Sequence, residues 1–289
     1  REELDHLGSV YGFQQLTYLT AEEALDLTSA KGFYGAILNT ESRHLHPLKY
    51  AIGLAQACNQ AGVRIFEQTR GYLENTMSSG EVISNFGRVR AKYVVLGCNA
   101  YLDKLVPKLA SNVMPINNFV IATEPLQSHV RSRINRDNLS MSDTLFVINY
   151  WKLSEDGRLI FGGGESYSNK FPKNIKEFVR PHMLKIYPEL ENVEIDYGWG
   201  GKVGITLNRM PDFGRLGERI WYAQGFSGHG IPTATMAGRL LANAIDGDTE
   251  AFDLMSSIPT HRFPGGTFLR WPGLVAGMLF YSLRDKFGL

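Results

Sequence analysis

The stretch IWYAQGFSGHGIP, Ile220 to Pro232, decides how the chain is read. Its first residues form a nearly continuous apolar run, the pattern of a strand buried on both faces. TATMAGRLLANAI follows, with apolar residues at helical spacing up to a stop near Asp246-Gly247. Between strand and helix, Gly225, Gly228 and Gly230 leave backbone N–H groups uncovered by side chains. A helix beginning near Ile231-Pro232 points its positive end at whatever occupies the turn, which stabilises negative charge on a phosphate or an electron-rich ring. The same glycines also fit a tight turn at positive φ that holds nothing. The spacing G-x-x-G-x-G differs from the dinucleotide-binding G-x-G-x-x-G, which follows the first strand of its sheet.

Working outward, 289 residues suffice for one large or two smaller cores. Hydrophobic residues at 44% and charged residues at 20% read as an ordinary globular chain. A formal net charge of +1 gives no field to recruit nucleic acid or an anionic membrane, so a nucleic-acid role is not expected. Cys58 and Cys98 make neither a disulfide framework nor a metal cluster; free thiols suit a cytoplasmic protein. Cys58 is expected buried on the apolar face of a helix. His44 and His46 lack further ligands nearby, and no metal site is expected. The chain opens REELD with no apolar signal region, and no stretch reaches the roughly 18 apolar residues of a membrane span. The tail PGLVAGMLFYSL, followed by Arg284, Asp285 and Lys286, reads as a packed terminal helix.

Thr20-Ala21-Glu22-Glu23 is a capping-box pattern that predicts a helix over 21–30 stopping at Gly32. Pro47 starts a second helix carrying Leu48, Ile52, Ala55 and Cys58 at helical spacing, closed by Gly62. VRIFEQ reads as a strand, YLENT and EVISNF as weaker ones, and KYVVLG as a strand buried on both faces. From 114 to 206 the pattern changes to NFVIATEPL, TLFVINYWKL, RLIFGGGE and VEIDYGWGG, separated by turn residues and interrupted by one helix over 173–187. That is a mostly antiparallel sheet with one packed and one open face. The fold class is therefore α/β plus antiparallel β, with both chain ends building one discontinuous domain and the middle building the other.

Several blocks in order carry a resemblance: HLHPLKYAIGLAQACNQAGVRIFEQT, KYVVLGCNAYLDKLVP, IATEPL, LSEDGRLIFGGGESYS, and WGGKVGITLNRMPDFGRLG leading into GFSGHG. Together they are similar to the D-amino-acid-oxidase-like flavoproteins, over nearly the whole chain. The resemblance implies an incomplete Rossmann-like FAD-binding domain from residues 1–113 and 207–289, and a β-sheet substrate domain over 114–206. It implies that FAD is the cofactor and that the loop Gly225, Phe226, Ser227, Gly228, His229, Gly230 and Ile231 meets the pyrimidine side of the isoalloxazine, chiefly through backbone N–H groups. Thr69, Arg70 and Gly71 match the place of backbone contacts to adenine, with Gly71 where the family commonly has an apolar residue. Gly97, Cys98, Asn99 and Tyr101 match a loop beside the diphosphate and ribose. No G-x-G-x-x-G unit precedes these blocks, so the resemblance implies that roughly the first third of a complete oxidoreductase is missing, or that a second chain completes the FAD site.

The resemblance further implies oxidation of an amine C–N bond to an imine and then an aldehyde, with oxygen as acceptor giving hydrogen peroxide. The last block and HRFPGGTFLRWPG resemble most the branch of the family acting on γ-glutamylated polyamines such as γ-glutamylputrescine. Sarcosine or a D-amino acid is the alternative substrate, and a flavin-free binding or scaffold protein the alternative outside enzymes. On the substrate side the candidates are His46, Tyr150, Arg209 and His229. Tyr150 and its neighbour Trp151 could meet a bound amine or belong to the core. Arg209 could clamp a carboxylate or pair with Asp212 or Glu165. His46 could equally cap the helix that Pro47 opens.

Overall fold

The computed structural model describes residues 1–73, 80–145, 147–165, 170–273 and 275, with the side chains of Glu3 and Glu165 outside that description. In chain order the elements are α1 (Glu2–Tyr11), β1 (Leu16–Thr20), α2 (Ala21–Thr28), β2 (Gly35–Asn39) and α3 (Pro47–Gln60). Then come β3 (Tyr72–Leu73), β4 (Glu81–Ser84), β5 (Gly87–Arg90), β6 (Val94–Leu96) and α4 (Pro107–Ala110). The middle holds β7 (Met114–Pro125), α5 (Ser128–Asn135), β8 (Met141–Ser142), β9 (Tyr150–Leu153), β10 (Arg158–Glu165), α6 (Ile175–Ile186) and β11 (Ile195–Ile205). β12 (Asp212–Leu216), β13 (Ile220–Gln224), α7 (Gly230–Asp246) and α8 (Glu250–Ser256) follow.

The chain divides into two compact units. The first holds Arg1–His46 with Asn118–Ser166 and Lys170–Gly200. A sheet of order β11-β7-β10-β9-β8 organises it, with β7, β10, β9 and β8 running antiparallel to one another. Trp151, Phe119, Ile121, Leu159 and Phe161 leave one face of that sheet for a core with Val179, Met183 and Ile186 of α6. Trp151 stacks on Phe161 at 5.7 Å and donates from Nε1 to the Tyr187 hydroxyl at 2.9 Å, so it is a core residue. α6 starts where Asn174 Oδ1 accepts from the N–H groups of Lys176 and Glu177, the short polar cap such a start needs. The glycine run of β10 answers to close packing: a Cβ at Gly162 would stand 2.1 Å from the Tyr150 ring that lies over it.

Residues 1–46 stand with this sheet, not with the other chain end as the sequence suggested. The reason lies in long-range contacts: Ala30 enters the sheet core, Lys31 N–H donates to Ile186 O at 3.0 Å, and the Ser29 hydroxyl to Arg133 O at 3.0 Å. The capping box at Thr20 and Glu23 forms in full, and α2 ends at a left-handed Ser29. The boundaries also lie inside β7 and β11 rather than at 114 and 206.

The second unit holds Pro47–Asn117 with Gly201–Leu289. Its sheet has the order β12-β13-β6, with β13 antiparallel to β12 and parallel to β6. Side chains alternate along β13 between two cores. Ile220 packs with Val94, Leu96, Leu102 and Leu109, whereas Trp221 and Ala223 pack with Ala237, Leu241 and Phe252 of α7 and α8. A separate antiparallel meander, β3-β4-β5, carries the expected EVISNF strand as β4, with Asn85 and Phe86 in the turn to β5.

Three expectations here are corrected. VRIFEQ forms no strand, because no neighbouring strand among the described residues offers the ladder a strand requires; Phe66 stands 64% exposed. Val95 in KYVVLG is 47% exposed: β6 buries Val94 and Leu96 on one face only, and nothing among the described residues covers the other. α3 forms as predicted but buries none of its residues, and Cys58 is exposed. Most of YLENT and of the tail PGLVAGMLFYSL lies outside the described residues.

Burial pushes the Tyr150 hydroxyl up to about 12, and those of Tyr187 and Tyr222 higher still, with the Asp212 carboxylate adding to the effect at Tyr222. The unfolded chain releases these protons from its ordinary value near 10 upward, while the folded chain keeps them. The stability that these three hydroxyls contribute is therefore fully present below about pH 10 and falls as the pH rises toward 12. Denaturant midpoints measured across that interval should decline steadily, and tyrosinate absorbance of the folded protein should lag that of the unfolded chain.

Candidate active site

Three segments of the second unit converge at the start of α7. β13 delivers Gln224, whose side chain is fixed by a buried carboxylate: Asp212, only 4% exposed, accepts from Asn112 Nδ2 at 2.9 Å and from Gln224 Nε2 at 2.8 Å. Gln224 Nε2 also donates to Leu109 O at 3.0 Å. A buried carboxylate without a cation is tolerated only when hydrogen bonds replace its water, as these do. The strand end before Gly225 is thereby locked. Gly225 has φ 71°, and a Cβ there would stand 2.4 Å from Thr206 Cγ2, so the turn needs glycine for both conformation and space.

The loop then divides its backbone donors into two sets. Gly225 N–H donates to Asn99 Oδ1 at 2.8 Å, Ser227 N–H to Gly204 O at 2.9 Å, and His229 N–H to Phe226 O at 2.9 Å. Thr206 N–H donates to Ser227 Oγ at 3.3 Å, and Ser227 Oγ in turn donates to Gly225 O at 3.1 Å. Among the described residues, the N–H groups of Phe226, Gly228, Gly230 and Ile231 meet no acceptor. Ser227 and Gly228 both have positive φ, and no atom lies within 4 Å of the place a Gly228 Cβ would take. The result is an open array of unpartnered donors at the positive end of a 17-residue helix.

The other sequence candidates fall as follows. His229 occupies the N-cap position of α7 without a side-chain capping bond and is exposed. Phe226 packs against the core formed by Trp221 and Phe252. Asn99, at φ 47°, turns its carboxamide toward Gly225. Tyr101 is 63% exposed, and its hydroxyl accepts from Lys202 N–H at 3.0 Å. Gly97 and the half-buried Cys98 precede them; burial pushes the Cys98 thiol up, so it is no ready nucleophile.

Thr69 Oγ1 donates to Glu67 O, and Arg70 pairs with Asp103 at 3.8 Å between exposed side chains, a contact of little energy. Gly71 lies against the meander, where a Cβ would stand 3.1 Å from Val82 Cγ1. Arg209 is exposed in the turn before β12 at φ 63°. Among the described residues it has no ion pair, and Asp212 is committed to Asn112 and Gln224 instead. The pairing of Arg209 with Asp212 is thus overturned, and its alternative partner, the Glu165 side chain, lies outside the description.

In the first unit, Tyr150 donates its hydroxyl to Asn118 Oδ1, and His46 is the exposed residue just before α3. The structure brings Asn99 to the loop Gly225–Ile231, whereas Tyr101 meets Lys202 of β11. Sequence reasoning missed Thr206, Gly204 and the Asp212–Gln224–Asn112 cluster. A glutamine closing the apolar run IWYAQ and the glycines of WGGKVG were the available signals. Among the described residues, no group of three or more His, Cys, Asp or Glu is arranged to hold a metal ion, and no helix is long and apolar enough to cross a membrane.

Comparison with known proteins decides the family: the model for FAD dependent oxidoreductases (DAO) matches residues 1–244. The chain belongs to this family of FAD-dependent oxidoreductases. Gamma-glutamylputrescine oxidoreductase of Escherichia coli is 39% identical over 280 residues, covering 96% of this chain and 66% of that protein. A probable oxidoreductase OrdL of Rhizobium meliloti is 34% identical over 289 residues, covering 99% of this chain and 67% of that one. The chain thus spans about two thirds of the length of these relatives. Among solved structures, glycine oxidase from Geobacillus kaustophilus shares the fold at TM-score 0.73 and 21% identity, over 91% of this chain and 73% of that one.

The cofactor of this family is FAD, and the donor array fits it. Unpartnered N–H groups at a helix start suit the electron-rich carbonyl edge of a pyrimidine ring, and the uncovered glycines let a flat ring approach. The two glycines of the loop separate by substitution. Gly228→Ala loses about 1 kcal/mol of stability for the left-handed conformation alone. Gly225→Ala adds overpacking against Thr206 and loses at least about 2 kcal/mol. Urea unfolding of both variants checks the order; equal losses would contradict the packing described for Gly225.

Proposed function

We propose that the protein oxidises the C–N bond of a primary amine on a γ-glutamylated polyamine, giving an imine that water hydrolyses to an aldehyde. The observation that carries the reading is the donor array of Gly228, Gly230 and Ile231, supported by 39% identity to a gamma-glutamylputrescine oxidoreductase. Bound FAD supplies the two-electron acceptor for this chemistry, with oxygen as its final oxidant and hydrogen peroxide as the second product. The chain's own part is to hold the electron-rich edge of the ring against fixed dipoles that favour negative charge. The dipoles are fixed because Asn99, Gly204 and Phe226 occupy the intervening donors. Tyr150, neutral at working pH and hydrogen-bonded to Asn118, is the first unit's own candidate for meeting an amine.

Completion of the cofactor site by a further segment or a second chain belongs to the proposal, because these 289 residues contain no G-x-G-x-x-G turn. A cytoplasmic location is supported by two free thiols, one of them exposed. A second reading, oxidation of a small amino acid such as glycine, is favoured by 25% identity to glycine oxidase of Geobacillus kaustophilus over 274 residues.

Anaerobic mixing of the FAD-loaded protein with single amines tests both. γ-Glutamylputrescine should bleach the flavin band within the turnover time, while glycine, sarcosine and D-alanine should leave it at least about a hundredfold slower. Bleaching by glycine in preference reverses the two readings, and bleaching by none removes the first.

A further inference from the structure

We propose that Asn99 is a positioning residue for the flavin loop, acting through Gly225 and β11 rather than by touching cofactor or substrate; the inference rests on the reading of that loop as the flavin edge site. Asn99 lies in the turn after β6 at φ 47°, a left-handed conformation in which asparagine is among the few tolerated residues. That conformation turns the carboxamide back into the unit. Its Oδ1 accepts from Gly225 N–H at 2.8 Å, at the first residue of the loop.

The same oxygen lies 2.4 Å from where a Cβ of Gly204 would be, so β11 passes this close only as glycine. Gly204 then offers its carbonyl to Ser227 N–H at 2.9 Å. One side chain and one glycine carbonyl thus pin alternate peptides of the loop. The pinning decides which N–H groups remain free: those of Gly225 and Ser227 are engaged, while those of Phe226, Gly228, Gly230 and Ile231 have no acceptor among the described residues. Nothing else among the described residues accepts from Gly225 N–H. Without the carboxamide, this buried donor has no partner, and the loop must rotate to find one.

Two substitutions at Asn99 separate the acceptor from the backbone conformation. Asn99→Gly keeps the left-handed turn and removes the acceptor; Asn99→Asp keeps both. Gly204→Ala, on a different strand, pushes the carboxamide off its position. Amide hydrogen exchange is read on peptides spanning 225–231 and on β6, β11 and β13 of the full chain, and the FAD dissociation constant is read on the same samples.

Asn99→Gly and Gly204→Ala should each speed exchange of the 225–231 peptides by about tenfold with the strands unchanged, and weaken FAD by about tenfold. Asn99→Asp should return loop exchange to the parent rate. Parent-like loop exchange in Asn99→Gly overturns the proposal, as does acceleration spread evenly over the three strands, which would make Asn99 a general packing residue. A parent protein that binds no FAD even with the completing segment or second chain supplied defeats the flavin reading instead, and the exchange data still decide whether Asn99 braces the loop.

Discussion

The strand–turn–helix of the second unit depends on which peptide N–H groups are left without an acceptor around the start of α7. A helix end is a site only when its free donors are held still, because donors that must reorganise give back most of what they gain. Here the restraint comes in layers. The buried carboxylate of Asp212 binds Gln224 and Asn112, which fixes the strand end. Thr206 leaves room at Gly225 only for glycine, which fixes the turn. Asn99 and the Gly204 carbonyl then take up alternate donors, and what is left has no acceptor among the described residues.

The sheet of the first unit obeys a different rule. Its packed face is a closed aromatic and aliphatic core in which Trp151, Phe161 and Tyr187 meet edge and face. Its other face carries Tyr150 above Gly162, held by a hydrogen bond to Asn118. Neighbouring residues on one strand thus serve opposite ends, Trp151 for packing and Tyr150 for the open face, as a two-residue period dictates.

The sequence was most legible where one short pattern determines one local structure. The capping box at Thr20, the proline start of α3, the strand–turn–helix of IWYAQGFSGHGIP and the antiparallel middle all form from local rules. It was least legible where the outcome depends on a distant neighbour. VRIFEQ has strand composition but no ladder to join, and the apolar stripe of α3 has helical period but nothing among the described residues that buries it. Residues 1–46 carry no mark of the unit they join, since Ala30 and Lys31 find partners more than a hundred residues away. Within the site, the glycines and Asn99 were visible as residue types. Their division into bracing and free groups depends on Gly204, Thr206 and Asp212, and no spacing in the loop encodes those contacts.

The most direct test is a titration of the nitrogen-15-labelled protein with FAD, following backbone amide resonances through the loop. The account predicts large downfield shifts at Gly228, Gly230 and Ile231, whose donors are free, and small ones at Gly225 and Ser227, whose donors are already engaged. Shifts concentrated at Gly225 and Ser227, or absent from the loop while FAD is bound, would contradict it.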